Sequence, residues 1–162
     1  MAEATGTHVR QTPLYTDEQF SRRNETVWTA VQGILAPLQF LAFLVSLVLV
    51  VRYMTTGVGY EVATASILIK TGLLYTIMLT GAIWEKIVFG QYLFAPAFFW
   101  EDLVSFAVIG LHTAYVLMLW QGTFTSDTLI WTALAAYAVY VINAGQFLWK
   151  LRLARRDAEH RI

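Results

Sequence analysis

The chain contains no cysteine. That excludes thiolate-held metals, iron–sulfur clusters and the four-helix thiol–disulfide enzymes of membranes. Charge is scarce as well: Asp, Glu, Lys and Arg make up 14% of the 162 residues, against about 25% in a typical soluble domain. Eleven basic and eleven acidic residues cancel, so no basic surface points to nucleic acid. Proline is limited to Pro13, Pro37 and Pro96, and only Pro37 falls inside a long apolar run. The hydrophobic share is 57%, and it is gathered into runs of membrane-spanning length rather than spread over short amphipathic elements.

Four spans are expected, at 27–51, 62–84, 101–120 and 129–149. At 1.5 Å rise per residue each is long enough for a hydrocarbon core about 30 Å thick. The expected fold class is therefore all-α integral membrane, with four transmembrane helices in one bundle. Pro37 should bend the first of them, because its ring nitrogen cannot donate to the carbonyl one turn back. Residues 1–26 form a polar tail in which Thr16, followed by Asp17, Glu18 and Gln19, has the pattern of a capped short helix running to Arg23. That tail lacks the early apolar core of a signal peptide, so none is expected. Residues 85–100 read as an interfacial segment and 150–162 as a basic, solvated helical tail.

An even number of spans places both termini on one side. Lys and Arg number three in the first tail, one in the central segment and five from Lys150 onward, against Arg52 alone at the opposite face. The positive-inside rule then puts both termini and the central segment in the cytoplasm. Trp28, Trp84, Trp100 and Trp149 gather at the same end, as an interfacial belt should.

The stretch 84–102, WEKIVFGQYLFAPAFFWED, carries Glu85, Glu101 and Asp102 among residues that are almost all aromatic, aliphatic or small. A solvated loop would be rich in Ser, Asn and Asp instead. Carboxyl groups held against such surroundings favour their protonated form, which suits a general acid at neutral pH. The bland alternative is a set of interfacial carboxylates hydrated by lipid headgroups. Lys70 falls near mid-membrane, where an ionisable group costs about 2.5–3.5 kcal/mol on insertion scales and marks function by default; otherwise it pairs with a backbone carbonyl. His112 is a packing histidine, a proton carrier or an axial ligand to a metal already held in a substrate. Bound haem is not expected, since membrane haem usually takes two axial side chains and only one histidine lies within a span.

Glu101, Ser105 and His112 lie within about 40° of one another on a helical wheel and form one stripe. Lys70 and Glu85 share a face but stand about 22 Å apart along the axis, too far to touch. Asn143 and Gln146, near the end of the fourth span, either bond across helices or contact a ligand. Tyr92 and Trp100 are membrane anchors first and walls for a flat ligand second. Together these residues describe a polar seam inside the bundle that opens toward the cytoplasm.

Several blocks are long and unusual rather than generic apolar text: PLYT, VQGILAPLQFL, LLYTIMLTGAIWEK, VFGQYLFAPAFFWED and YVINAGQFLWKLR. They closely resemble the vinyl bacteriochlorophyllide hydratase family of phototrophic bacteria, over residues 13–152. The resemblance implies a multi-pass enzyme of the bacterial inner, intracytoplasmic membrane. Such an enzyme adds water to the C3 vinyl group of chlorophyllide or bacteriochlorophyllide and leaves a 1-hydroxyethyl group. No cofactor is expected beyond the Mg²⁺ that the macrocycle itself carries. Expected partners are the pigment and the bilayer, with self-association or contact with other pigment-synthesis enzymes left open.

The chemistry suggests Glu101 as proton donor and Glu85 or Asp102 as water-activating base. His112 would ligate the substrate Mg²⁺ or relay protons, and Lys70 would anchor an anionic or carbonyl group. The competing classes are a pigment-binding assembly factor and a small transporter. A proton-coupled transporter would place a carboxylate deep in a span, whereas here the carboxylates lie at span ends. An assembly factor needs no acid–base pair, and its loss would reduce normal pigment rather than accumulate vinyl-bearing intermediates.

Overall fold

The computed structural model describes residues 12–161; the expected loose start of the first tail falls almost entirely outside them. Five helices follow in order: α1 (Asp17–Glu25), α2 (Val27–Thr56), α3 (Tyr60–Phe89), α4 (Phe99–Gln121) and α5 (Ser126–Glu159). The last four are long and apolar enough to cross a membrane. The protein is a multi-pass helical membrane protein.

Local sequence explains each boundary. Thr16 caps α1 in a reciprocal box: its hydroxyl accepts from the Gln19 amide at 3.2 Å, and the Gln19 side chain accepts from the Thr16 amide at 3.0 Å. Asp17 and Glu18 in the first turn and Arg22 and Arg23 in the last complement the helix dipole. Thr26 ends α1 and caps α2 at once. Gly57 and Gly59, at φ of 72° and 92°, turn the chain from α2 into α3, a conformation that costs other residues a Cβ clash. Pro37 is accommodated within an unbroken α2.

The membrane helices pair as two antiparallel hairpins, α2 with α3 and α4 with α5, which meet chiefly along α3 and α4. Phe43, Val50, Ile67, Leu74, Val108, Tyr115 and Tyr137 fill the shared core. Many other large apolar side chains, among them Ile34, Val48, Ile69, Leu79 and Leu148, point outward and are exposed. In water that surface would oppose folding at about 25 cal/mol per Å²; against lipid tails it costs nothing. Small and hydroxylated residues join the helices instead: Gln32 to Thr80 at 2.7 Å, Ser46 to Ser66 at 2.7 Å, and Ser46 to Tyr137.

The C-terminal tail departs from the expectation of a solvated helix. α5 continues without a break to Glu159, and Ala154 is buried. Its end docks on the strap that precedes α1: Asp157 accepts from the Leu14 amide, while Arg161 bonds the Tyr15 carbonyl and pairs with Asp17. Hydropathy alone missed this because the contact is made by charged residues over one buried aromatic. Tyr15 is that aromatic, stacked on Phe89 with ring centroids 5.8 Å apart. Burial pushes its phenol up to about 12. The fold favours the neutral phenol, so docking is intact below about pH 10 and is lost as pH rises through about 12. Tyr15→Ala should release the strap and open α1 to trypsin at Arg22 and Arg23, leaving the membrane helices intact. Equal digestion rates for variant and parent would show that Tyr15 does not hold the strap.

Candidate active site

Both ends of the 90–98 connection are built by helix termini. α3 stops at Gly90, whose φ of 86° lets its amide close onto the Lys86 carbonyl. α4 starts at Phe99 without a side-chain cap, and its first turn carries Glu101 and Asp102, where the positive end of the helix dipole favours negative charge. Glu85 reaches in from the last turn of α3. All three side chains are buried at this end of the bundle, with relative exposures of 5% for Glu85, 6% for Glu101 and 3% for Asp102.

Each carboxyl has a different setting. Glu85 and Asp102 stand as a pair against the 90–98 connection. Each member also accepts a main-chain amide from the same loop: Asp102 Oδ2 from Phe94 at 2.7 Å, and Glu85 Oε2 from Ala95 at 3.2 Å. Phe94 sits at φ 58°, the left-handed region that non-glycine residues avoid. That backbone cost of order 1–3 kcal/mol turns two successive amides toward the pair, an arrangement that binds negative charge.

Glu101 is set apart. Its Oε1 lies 3.7 Å from Lys150 Nζ, while its Oε2 is buried with no hydrogen-bond partner. Its main-chain carbonyl is held by Ser105 at 2.8 Å and by Asn143 at 2.9 Å. Ser105 also donates to Asn143 Oδ1 at 3.1 Å, and Asn143 reaches Gln146 at 3.4 Å. Asn143 thus braces the start of α4 through its backbone rather than the carboxyl groups, with Gln146 behind it.

Lys70 and His112 form a separate pair deeper in the bundle. Lys70 is 0% exposed, and its Nζ lies 3.1 Å from His112 Nε2. His112 Nδ1 donates to the Val108 carbonyl at 2.8 Å, which leaves Nε2 to accept from the ammonium. Both ring nitrogens are taken up inside the bundle, so Mg²⁺ ligation by His112 would require Lys70 to move away. Around Lys70 stand the rings of Tyr140 at 4.0 Å, Tyr137 at 5.1 Å and Phe43 at 6.0 Å, a cation–π cage made by the protein itself.

Tyr92 and Trp100 lie at the outer surface, exposed, beside Phe94 and Phe99. They border the carboxyl cluster but do not enter it. Among the described residues no group of three or more His, Cys, Asp or Glu side chains is arranged to hold a metal ion.

Sequence reasoning missed two contributors. The main-chain amides of Phe94 and Ala95 leave no trace in side-chain identity. Lys150 was assigned to the solvated tail, yet it bonds the Ala97 carbonyl and faces Glu101. Its spacing was available as a signal: Asn143, Gln146 and Lys150 stand three and four residues apart, one face of a helix.

Four membrane-crossing helices with three buried carboxyl groups at one end of the bundle make this a multi-pass membrane protein with an acidic interior site. The family model described as 2-vinyl bacteriochlorophyllide hydratase matches residues 15–153, and the chain belongs to that family. It is 71% identical over 145 residues to the 2-vinyl bacteriochlorophyllide hydratase of Rhodobacter capsulatus, covering 90% of this chain and 84% of that one. It is 70% identical over 146 residues to the protein of the same name from Cereibacter sphaeroides, covering 90% and 91%. No solved structure matches.

Proposed function

We propose that this chain adds water across the vinyl substituent of a bacteriochlorophyllide-type macrocycle, and that Glu85, Asp102 and Glu101 carry the reaction. Family membership supports the substrate class. The observation that supports the site is the contrast among three buried carboxyl groups: two rest on successive amides of one loop, and the third faces a cation.

Hydration needs a proton on the terminal vinyl carbon, stabilisation of the cation left beside the ring, and a base for the attacking water. In this reading the Glu85–Asp102 pair gives its proton to the terminal carbon. The electron pair of the vinyl bond forms the new C–H bond, and the macrocycle spreads the positive charge. The pair, now fully negative, stays held by the Phe94 and Ala95 amides and faces that charge. Water accepted by the free Glu101 oxygen attacks the ring-attached carbon and passes its proton to Glu101. Return of that proton to the pair completes the cycle. These roles exchange those expected from the sequence, where Glu101 is the donor; Lys150 beside one Glu101 oxygen and the unpartnered second oxygen suit a base.

The flat pigment would enter sideways from the lipid. Its ring would lie against Tyr92, Phe94, Phe99 and Trp100 in the interface, with the vinyl edge turned inward. The hydration itself calls for no resident cofactor, and the Mg²⁺ belongs to the substrate. The excess of Lys and Arg at the end carrying the termini supports a cytoplasmic position for the site in the bacterial inner membrane.

Purified protein in detergent, given vinyl-bearing bacteriochlorophyllide in heavy-oxygen water, should yield a product heavier by one labelled water. Glu101→Gln should lose most of that turnover, on the order of 10²-fold or more, while still binding pigment. Unchanged pigment with the wild-type protein would defeat the reading.

A further inference from the structure

We propose that Lys150 is a positioning residue that pairs with one oxygen of Glu101 and leaves the other free for the attacking water. This rests on the assignment of Glu101 as base. The Lys150 side chain does not wander as a surface lysine would: it is only 21% exposed, its Nζ donates to the Ala97 carbonyl, and it lies 5.6 Å from the centre of the Phe98 ring. Phe98 is itself buried, packed edge-on against Trp84 and Phe89 and stacked with Phe147. Loop carbonyl and ring together hold the ammonium 3.7 Å from Glu101 Oε1.

The charged groups facing Glu101 are few. From α3 comes Glu85 and from α5 Lys150. The Asn143 amide is spent on the Glu101 main-chain carbonyl and does not reach the carboxyl group. Among the described residues Lys150 is therefore the one cation at this carboxylate, set against Glu85. Glu101 Oε2, buried and without a partner, is a polar atom whose satisfaction has to come from outside the protein. Water is the donor the reaction itself brings.

Lys150→Met should lower kcat about 10²-fold with KM within about twofold, because a base has been disabled while pigment contacts remain. Lys150→Gln, which can still donate to the Ala97 carbonyl but carries no charge, should lose as much; Lys150→Arg should recover most of the activity. In a Glu101→Gln background, Lys150→Met should cost nothing further. Full turnover in Lys150→Gln would overturn the proposal, as would an undiminished additional loss in the double variant, since either shows that the charge does not act through Glu101. An active Glu85→Gln protein would instead remove the acid pair and leave the coupling of Lys150 to Glu101 standing.

Discussion

Glu85→Gln should lower turnover of vinyl pigment by about 10²–10⁴-fold, the range that general-acid assistance supplies. The substitution is nearly isosteric, and the amide oxygen can still accept from the Ala95 main chain, so the loop should keep its place. What changes is the proton: a glutamine amide donates its own N–H to Asp102, and the pair no longer holds an acid. Asp102→Asn should fail for the same reason and to a similar extent. In the proposed mechanism the two residues share one proton, so the double variant should be little worse than either single one. Protein inserted in the membrane at wild-type level, with losses that multiply, would mean that the residues act independently.

Lys70→Glu should prevent accumulation of folded protein. Among the described residues Lys70 has no carboxylate partner; it is held by His112 and by the faces of Tyr140, Tyr137 and Phe43. Those faces are electronegative, so a carboxylate in their midst would be both desolvated and repelled. Breaking a buried charge arrangement costs about 3–5 kcal/mol, and reversing its sign costs more, against a typical net stability of about 5–15 kcal/mol. Lys70→Met keeps the length and apolar stem, leaving only the His112 nitrogen unsatisfied at about 1–3 kcal/mol. Its protein should reach the membrane, melt earlier in detergent and retain turnover. A Met variant of normal stability but raised KM would instead make Lys70 a pigment contact.

The parts of the fold that depend on composition and local capping were visible in the sequence. Apolar runs marked the four membrane helices, and Thr16 with Gln19 marked the start of α1. The helices are longer than those runs: α2 extends to Thr56 and α3 to Phe89, because main-chain bonding continues past the hydrocarbon to the next glycine. Burial of Glu85, Glu101 and Asp102 could be anticipated from their aromatic company. Their pairing could not, since it depends on how α3 and α4 register against each other, and helical periodicity carries no information about register between helices. The same gap hid the partnership of Lys70 with His112. Lys150 was hidden differently: it lies past the apolar run, where a basic residue usually means solvent, and its partners Ala97 and Glu101 come from a loop and helix far away in sequence.

Infrared difference spectroscopy of the unliganded protein at neutral pH tests the shared proton most directly. A protonated carboxyl group shows a carbonyl stretch distinct from the bands of carboxylates. The wild-type protein should show one such band from a buried acid, absent in both Glu85→Gln and Asp102→Asn and retained in Glu101→Gln. A spectrum without that band, or one whose band disappears only with Glu101, would contradict the assignment of the Glu85–Asp102 pair as the proton donor.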